Sequence, residues 1–258
     1  MVGAGNHEAW YDWASFKARF RMASFGGGGN HTAAAAAGGL SGSAAPESEP
    51  QPRAPFWYSY DYGPVHVVLA SSEHSYDAGS EQMVWVEADL ARAAANRAAV
   101  PWIVFAIHRP LYSADAGEFS EHSPGAPMLA AFEPLLLKHR VDLTLTGHMH
   151  AYERIHPNVN GSVVAKPVPG PGGSAGSVVY LRPSAPVHLM IGSAGAMQKE
   201  KWEDPLPLWS AFHVDTAPLK HATDSYGFGS VAVWNETHLQ FRFVPASGTV
   251  SDEFWIVR

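Results

Sequence analysis

Pro101-Trp102-Ile103-Val104-Phe105-Ala106-Ile107-His108-Arg109-Pro110 is the stretch that decides the fold. An unbroken apolar run from Trp102 to Ile107 is too long for a strand with one wet face. It suits a strand covered on both faces, as in a parallel sheet. The run ends at a His, and the pattern recurs: Val141 to Thr146 reads as another strand, followed by Gly147-His148-Met149-His150. Between them, Pro127 to Arg140 carries Leu129, Phe132, Leu135 and Leu136 on one side of a helix. Before them, Glu81 to Asn96 has the same character, with Met83, Val84, Val86 and Leu90 amid charged residues and Ala.

Working outward, Phe56 to Pro64 reads as a strand and turn, and Val65 to Ala70 as a second strand. Further strands are expected at Val187 to Ile191, Gly229 to Trp234, His238 to Val244 and Glu253 to Val257. The last three read as antiparallel, with Asn235-Glu236-Thr237 as a tight hairpin link. Strands alternating with helices in this order predict an α/β domain. Gly26 to Gly29, Ala33 to Ala37 and the Ser/Pro/Glu-rich run to Pro55 lack any hydrophobic period, and Pro167 to Gly176 is rich in Gly and Pro. The expected organisation is one domain over 1–258 with low-complexity insertions at about 24–55 and 165–177.

Composition removes several function classes. With no Cys there is no disulfide framework, no thiolate metal site and no Cys nucleophile. With 24 acidic against 17 basic residues, the net charge of −7 argues against a nucleic-acid partner. The apolar runs fall far short of the ~20 residues a membrane span needs, so no membrane partner is expected. Of the 14 His, the informative ones sit where strands stop. Gly26 to Gly29 is not a phosphate loop, because no Lys-Ser/Thr follows it.

Three polar clusters, Gly5-Asn6-His7-Glu8, His108-Arg109-Pro110 and Gly147-His148-Met149-His150, follow strand ends. In α/β sheets, that is where loops aim side chains into a shared crevice. On extended backbone, His148 and His150 point to one face about 6.5 Å apart. Such a pair can straddle two metal ions ~3.5–4 Å apart. Imidazoles with an amide oxygen and no thiolate suit Zn, Fe or Mn. Gly147 is expected to supply a close backbone approach or a positive φ.

These clusters, with Leu111-Tyr112 and Ala151-Tyr152-Glu153-Arg154, resemble the last three metal motifs of purple acid phosphatases, members of the calcineurin-like metallophosphoesterases. Trp57 to His66, Gly79 to Gln82 with Trp85 and Glu87, and Tyr226 to His238 extend the resemblance to about 200 residues. It implies a metallophosphoesterase-type αββα sandwich. It also implies truncation at the N-terminus, because the family's Asp-x-Gly and Gly-Asp-x-x-Tyr motifs precede Gly-Asn-His-Glu.

By the same resemblance, Asn6, His108 and His148 match ligands of a divalent ion (Zn, Mn or Fe(II)), and His150 matches a ligand of Fe(III), in a binuclear centre. His7 and His122 would bind phosphate or protonate the leaving alkoxide. The implied function is an acid phosphatase-like hydrolase of phosphate monoesters, acting through a metal-bound hydroxide and impaired in this truncated chain. The alternatives are a phosphodiesterase of the superfamily, or a non-catalytic binding or structural fragment of the fold. Arg109, Tyr152, Glu153 and Arg154 would support the site, with an Arg–Glu pair orienting the His-x-His loop. His74, His139 and His156 read as surface residues. The sequons at Asn30, Asn160 and Asn235 favour a glycosylated protein of a secreted, extracellular or vacuolar setting, and a homodimer is compatible with the resemblance.

Overall fold

The computed structural model describes residues 2–20, 56–170, 177–198, 201–214 and 225–258. The helices are α1 (Ala14–Arg19), α2 (Glu81–Ala95) and α3 (Pro127–Lys138). The strands begin with β1 (Tyr58–Tyr62), β2 (Val65–Leu69), β3 (Trp102–Ala106), β4 (Leu143–Thr146) and β5 (Tyr152–Ile155). They continue with β6 (Asn158–Val159), β7 (Ser162–Val163), β8 (Val168–Pro169), β9 (Ser177–Leu181) and β10 (Val187–Ile191). β11 (Ser210–His213), β12 (Gly227–Val233), β13 (His238–Pro245) and β14 (Asp252–Val257) complete the set.

A seven-stranded sheet has the order β1-β2-β3-β4-β10-β5-β11, and a five-stranded sheet the order β12-β13-β14-β9-β8. β2, β3, β4 and β10 run parallel at the centre of the larger sheet. β3 explains why. Its alternation sends Ile103 and Phe105 to a core shared with Val86 and Leu90 of α2 and with Leu129, Phe132 and Leu136 of α3. Trp102 and Val104 go to the opposite core, against Leu239, Phe241, Phe243, Phe254 and Ile256 of the smaller sheet. Both faces are dry, as the unbroken apolar run requires. In α2, Ser80 caps the N-terminus by accepting the Met83 N–H, and Pro127 starts α3 with a ring already set for helix.

The α/β sandwich expected from the sequence is therefore present, and the strands and helices expected from residue 56 onward form close to their anticipated limits. β12, β13 and β14 are antiparallel as expected. Among the described residues, α2 and α3 cover the larger sheet, while much of β12 is exposed. Three expectations change. The strand end expected before Gly5 does not form among the described residues, and residues 6–9 make a 3-10 turn. His139 is buried and pairs with Glu87 through Nε2 at 3.1 Å, so it is no surface residue. β5 is a strand that the sequence pattern does not announce, because Tyr-Glu-Arg-Ile carries no apolar alternation; its polar groups are buried against partners from distant strands. The insertion expected at about 24–55 lies outside the described residues. In the other, β8 pairs with β9, and 171–176 lie outside them. No helix among the described residues is long and apolar enough to cross a membrane.

The layer assignment gives a direct test. Phe105 is fully buried and packs on Phe132 at 5.5 Å between centroids, so Phe105→Ala is expected to cost about 3–5 kcal/mol in urea unfolding. Ser230→Ala, exposed on the outer face of β12 opposite Arg242, is expected to stay within about 0.5 kcal/mol.

Candidate metal centre

The parallel pairing of β3 and β4 brings their ends together. The Ile107 N–H donates to the Leu145 carbonyl at 3.1 Å, and the Gly147 N–H to the His108 carbonyl at 2.8 Å. Two chains that share this ladder place His108 and His148 side by side, with ring centroids 5.1 Å apart. The third strand of chain arrives through Gly5. A Cβ there would sit 2.8–2.9 Å from three atoms of the His108 ring, so only glycine lets the backbone lie flat against it. The following residue then presents its amide: Asn6 Oδ1 lies 2.9 Å from His108 Nε2, and His148 Nδ1 lies 3.2 Å from the same nitrogen.

Burial, with His148 nearby, pushes the His108 imidazole down to about 4, and burial also lowers His148. Both rings are thus neutral and able to ligate at neutral pH. In a tetrahedral zinc site with bonds of about 2.0–2.2 Å, neighbouring donor atoms lie roughly 3.3 Å apart. Asn6 Oδ1 and His148 Nδ1 lie 2.9 and 3.2 Å from His108 Nε2, near that spacing, so the donor set suits one divalent ion.

The loop differs from its expected form. His148 has φ +67°, the left-handed region, while Gly147 does not. His148 and His150 are therefore not on extended backbone, and the strain sits on His148 itself. Gly192 after β10 makes room for the bend: a Cβ there would lie 1.7 Å from the Met149 carbonyl oxygen. His150 Nδ1 donates to the Met197 carbonyl at 3.0 Å, away from the other three. Among the described residues, no trio of His, Asp or Glu donors gathers around His150.

His7 is exposed and packs edge-on against Trp10. His122 is buried, with its ring 6.1 Å from that of His148, and Nδ1 donates to the Pro110 carbonyl at 2.8 Å. Burial lowers its pKa. An open cleft of about 550 Å³ adjoins it, lined by Ser72, Glu73, Tyr76, Arg109, His122 and Met128. Four of the expected residues, Asn6, His108, His148 and His122, are thus brought together; His7 and His150 hold other contacts.

The expected Arg–Glu pair within the loop does not form, because residues 153 and 154 point to opposite faces of β5. Arg154 instead donates to Asp252 at 2.8 and 3.1 Å, and Glu153 accepts from Ala114 N–H and Ser210 Oγ. Arg109 pairs with Glu73 at 2.8 Å. Burial alone would raise Glu73, but hydrogen bonds from Arg109 and Ser72 hold it below the usual carboxylate range. Glu73, Glu118 and Asp252 were not legible in advance, since each meets its partner across the fold.

Residues 1–152 match the family model described as calcineurin-like phosphoesterase. The chain belongs to that family. Residues 185–253 also match the model described as iron/zinc purple acid phosphatase-like protein C. The chain is similar to human acid phosphatase type 7, 30% identical over 274 residues, covering 100% of this chain and 52% of that protein. Purple acid phosphatase 18 of Arabidopsis thaliana is 29% identical over 267 residues, covering 99% and 48%. Among solved structures, purple acid phosphatase PPD1 from yellow lupin (Lupinus luteus) seeds matches with a TM-score of 0.64 and 27% identity, over 79% of this chain and 33% of that one. The chain spans about half the length of these two curated relatives. The iron/zinc family model and the lupin neighbour agree with a binuclear metal centre.

Two substitutions test the loop. Gly192→Ala is expected to cost about 2 kcal/mol of stability through overpacking, and to weaken zinc binding measured by calorimetry. Glu153, raised to about 7 by burial, stabilises the fold most below its unfolded pKa, and that contribution is lost as pH rises toward 7. Glu153→Gln is expected to remove this dependence. Its stability relative to wild type should rise by on the order of 3 kcal/mol between pH 4 and 8 in denaturant unfolding.

Proposed function

We propose that this chain is the metal-binding core of an acid phosphatase that hydrolyses phosphate monoesters at mildly acid pH. The observation that carries the reading is the convergence of Asn6 Oδ1, His108 Nε2 and His148 Nδ1 at the ends of adjacent chain segments. These three would hold the divalent ion, Zn, Mn or Fe(II); His150, turned to the Met197 carbonyl with no donor trio around it among the described residues, does not fit the Fe(III) role that the resemblance implies. Ions so bound supply Lewis acidity and lower the pKa of water near phosphorus.

The chain's own residues do the rest. Gly5 and the β3–β4 ladder hold the donors in place before any ion arrives, so little ordering is left for binding to cost. His122, oriented by its Nδ1 hydrogen bond to the Pro110 carbonyl, would act on the phosphate or the leaving oxygen through Nε2. Arg109, steered by Glu73, places positive charge on the wall of the adjoining cleft, which would receive the ester group. His7, exposed two residues after Gly5, would bind the phosphate.

The same reading extends to organisation and setting. We propose one domain over 1–258 with low-complexity insertions, in a secreted, extracellular or vacuolar protein. Asn160 and Asn235 are exposed, as glycan acceptors must be.

Hydrolysis of p-nitrophenyl phosphate and of its bis-ester by the iron- and zinc-loaded chain, from pH 4 to 8, tests the function. The monoester is expected to be preferred, with the optimum below pH 7. His148→Ala is expected to cost more than the ~10–100-fold typical of losing a residue that merely supports a ligand. Activity that survives His148→Ala would refute the assignment. Ion binding without turnover of either ester would identify a binding module instead.

A further inference from the structure

We propose that Glu118, His122 and His148 form a further site for a zinc-type divalent cation, on the Nε2 side of the His148 ring. Glu118 Oε2 lies 3.3 Å from His148 Nε2 and 3.5 Å from His122 Nε2. One donor atom from each of the three residues lies within 4.8 Å of the other two. The two shorter separations match the roughly 3.3 Å between neighbouring donors of a tetrahedral zinc site. Two imidazoles and one carboxylate, with no thiolate, are the donor set of a zinc-type ion that keeps a fourth position for water.

The independent observation is His122. Its residue is 1% exposed, and its Nε2 has no hydrogen-bond partner. The Pro110 carbonyl can only accept, so the hydrogen of the neutral ring is on Nδ1, and Nε2 carries a bare lone pair. That lone pair faces the carboxylate oxygen of Glu118, which is also an acceptor. Two acceptors in a buried corner repel unless a positive species lies between them. His148 points its second nitrogen at the same spot; with an ion already on Nδ1, that nitrogen takes a second ion by releasing its N–H proton to solvent, so that the ring bridges the two ions as imidazolate.

The turn that carries Glu118 is built to hold it there. Asp115 Oδ1 accepts the N–H of Gly117 at 2.9 Å and of Glu118 at 3.3 Å, while Oδ2 accepts the Lys201 N–H at 2.9 Å. The Glu118 side chain is 41% exposed, which gives an ion a path from solvent. An ion held there takes the Nε2 lone pair of His122 out of use by a phosphate. The site therefore also serves to regulate the proposed phosphatase reaction, and in that respect it rests on that reading.

Equilibrium dialysis of the full 258-residue chain against Co²⁺, read by metal content and by visible absorption, tests the proposal. Glu118→Ala, at a part-exposed position, is expected to weaken one Co²⁺ by at least tenfold and to remove its absorption band, with the thermal unfolding profile unchanged. Asn6→Ala is expected to weaken a different ion and leave the Glu118-dependent band in place. A Glu118→Ala chain that binds Co²⁺ as wild type does would overturn the further site. An Asn6→Ala chain that binds as wild type would overturn the functional reading and leave the further site standing.

Discussion

The structure depends on the parallel ladder between β3 and β4, closed beyond its end by the hydrogen bond from Gly147 N–H to the His108 carbonyl. The ladder exists because both strands are buried on two faces, and neither can slip by one residue without exchanging its two apolar sets. Register is therefore held by the core, and the loops inherit it. His108 and His148 are placed by packing that lies well behind them. Gly5 then admits the N-terminal segment against the His108 ring, which completes the set of donors.

A second tie runs beneath the His loop. Arg154 and Tyr152 of β5 both bond Asp252 of β14, and Tyr180 of β9 joins Arg154 at 2.8 Å. This network crosses from one sheet to the other. The guanidinium is buried, yet the neighbouring Asp252 carboxylate keeps its pKa above the ordinary value. Removing either partner of such a buried pair leaves an unpaired charge, so the network holds β5 to the smaller sheet. The strained φ of His148 persists because the loop is clamped on both sides, by β4 through Gly147 and by β10 through Gly192.

Much of this was legible before any coordinates. The apolar runs of Trp102 to Ile107 and Val141 to Thr146 encode burial directly, and the His residues after them mark the crevice. Asn6 was legible because it follows the same logic. What was not legible is long-range. Glu118 meets His148 across 30 residues, Glu73 meets Arg109 across 36, and Asp252 meets Arg154 across 98. No local period encodes such pairs. The conformation of the His loop was also misread, since Gly147 drew the positive φ that His148 adopts, and the reason lies at Gly192 on another strand.

The central claim is that Asn6, His108 and His148 are prearranged ligands of one divalent ion. A crystal of the chain soaked in zinc and measured at the zinc absorption edge tests it most directly. The expected result is an anomalous peak within bonding distance, about 2.0–2.2 Å, of Asn6 Oδ1, His108 Nε2 and His148 Nδ1. Zinc bound elsewhere, with these three atoms still bonded to one another, would contradict it.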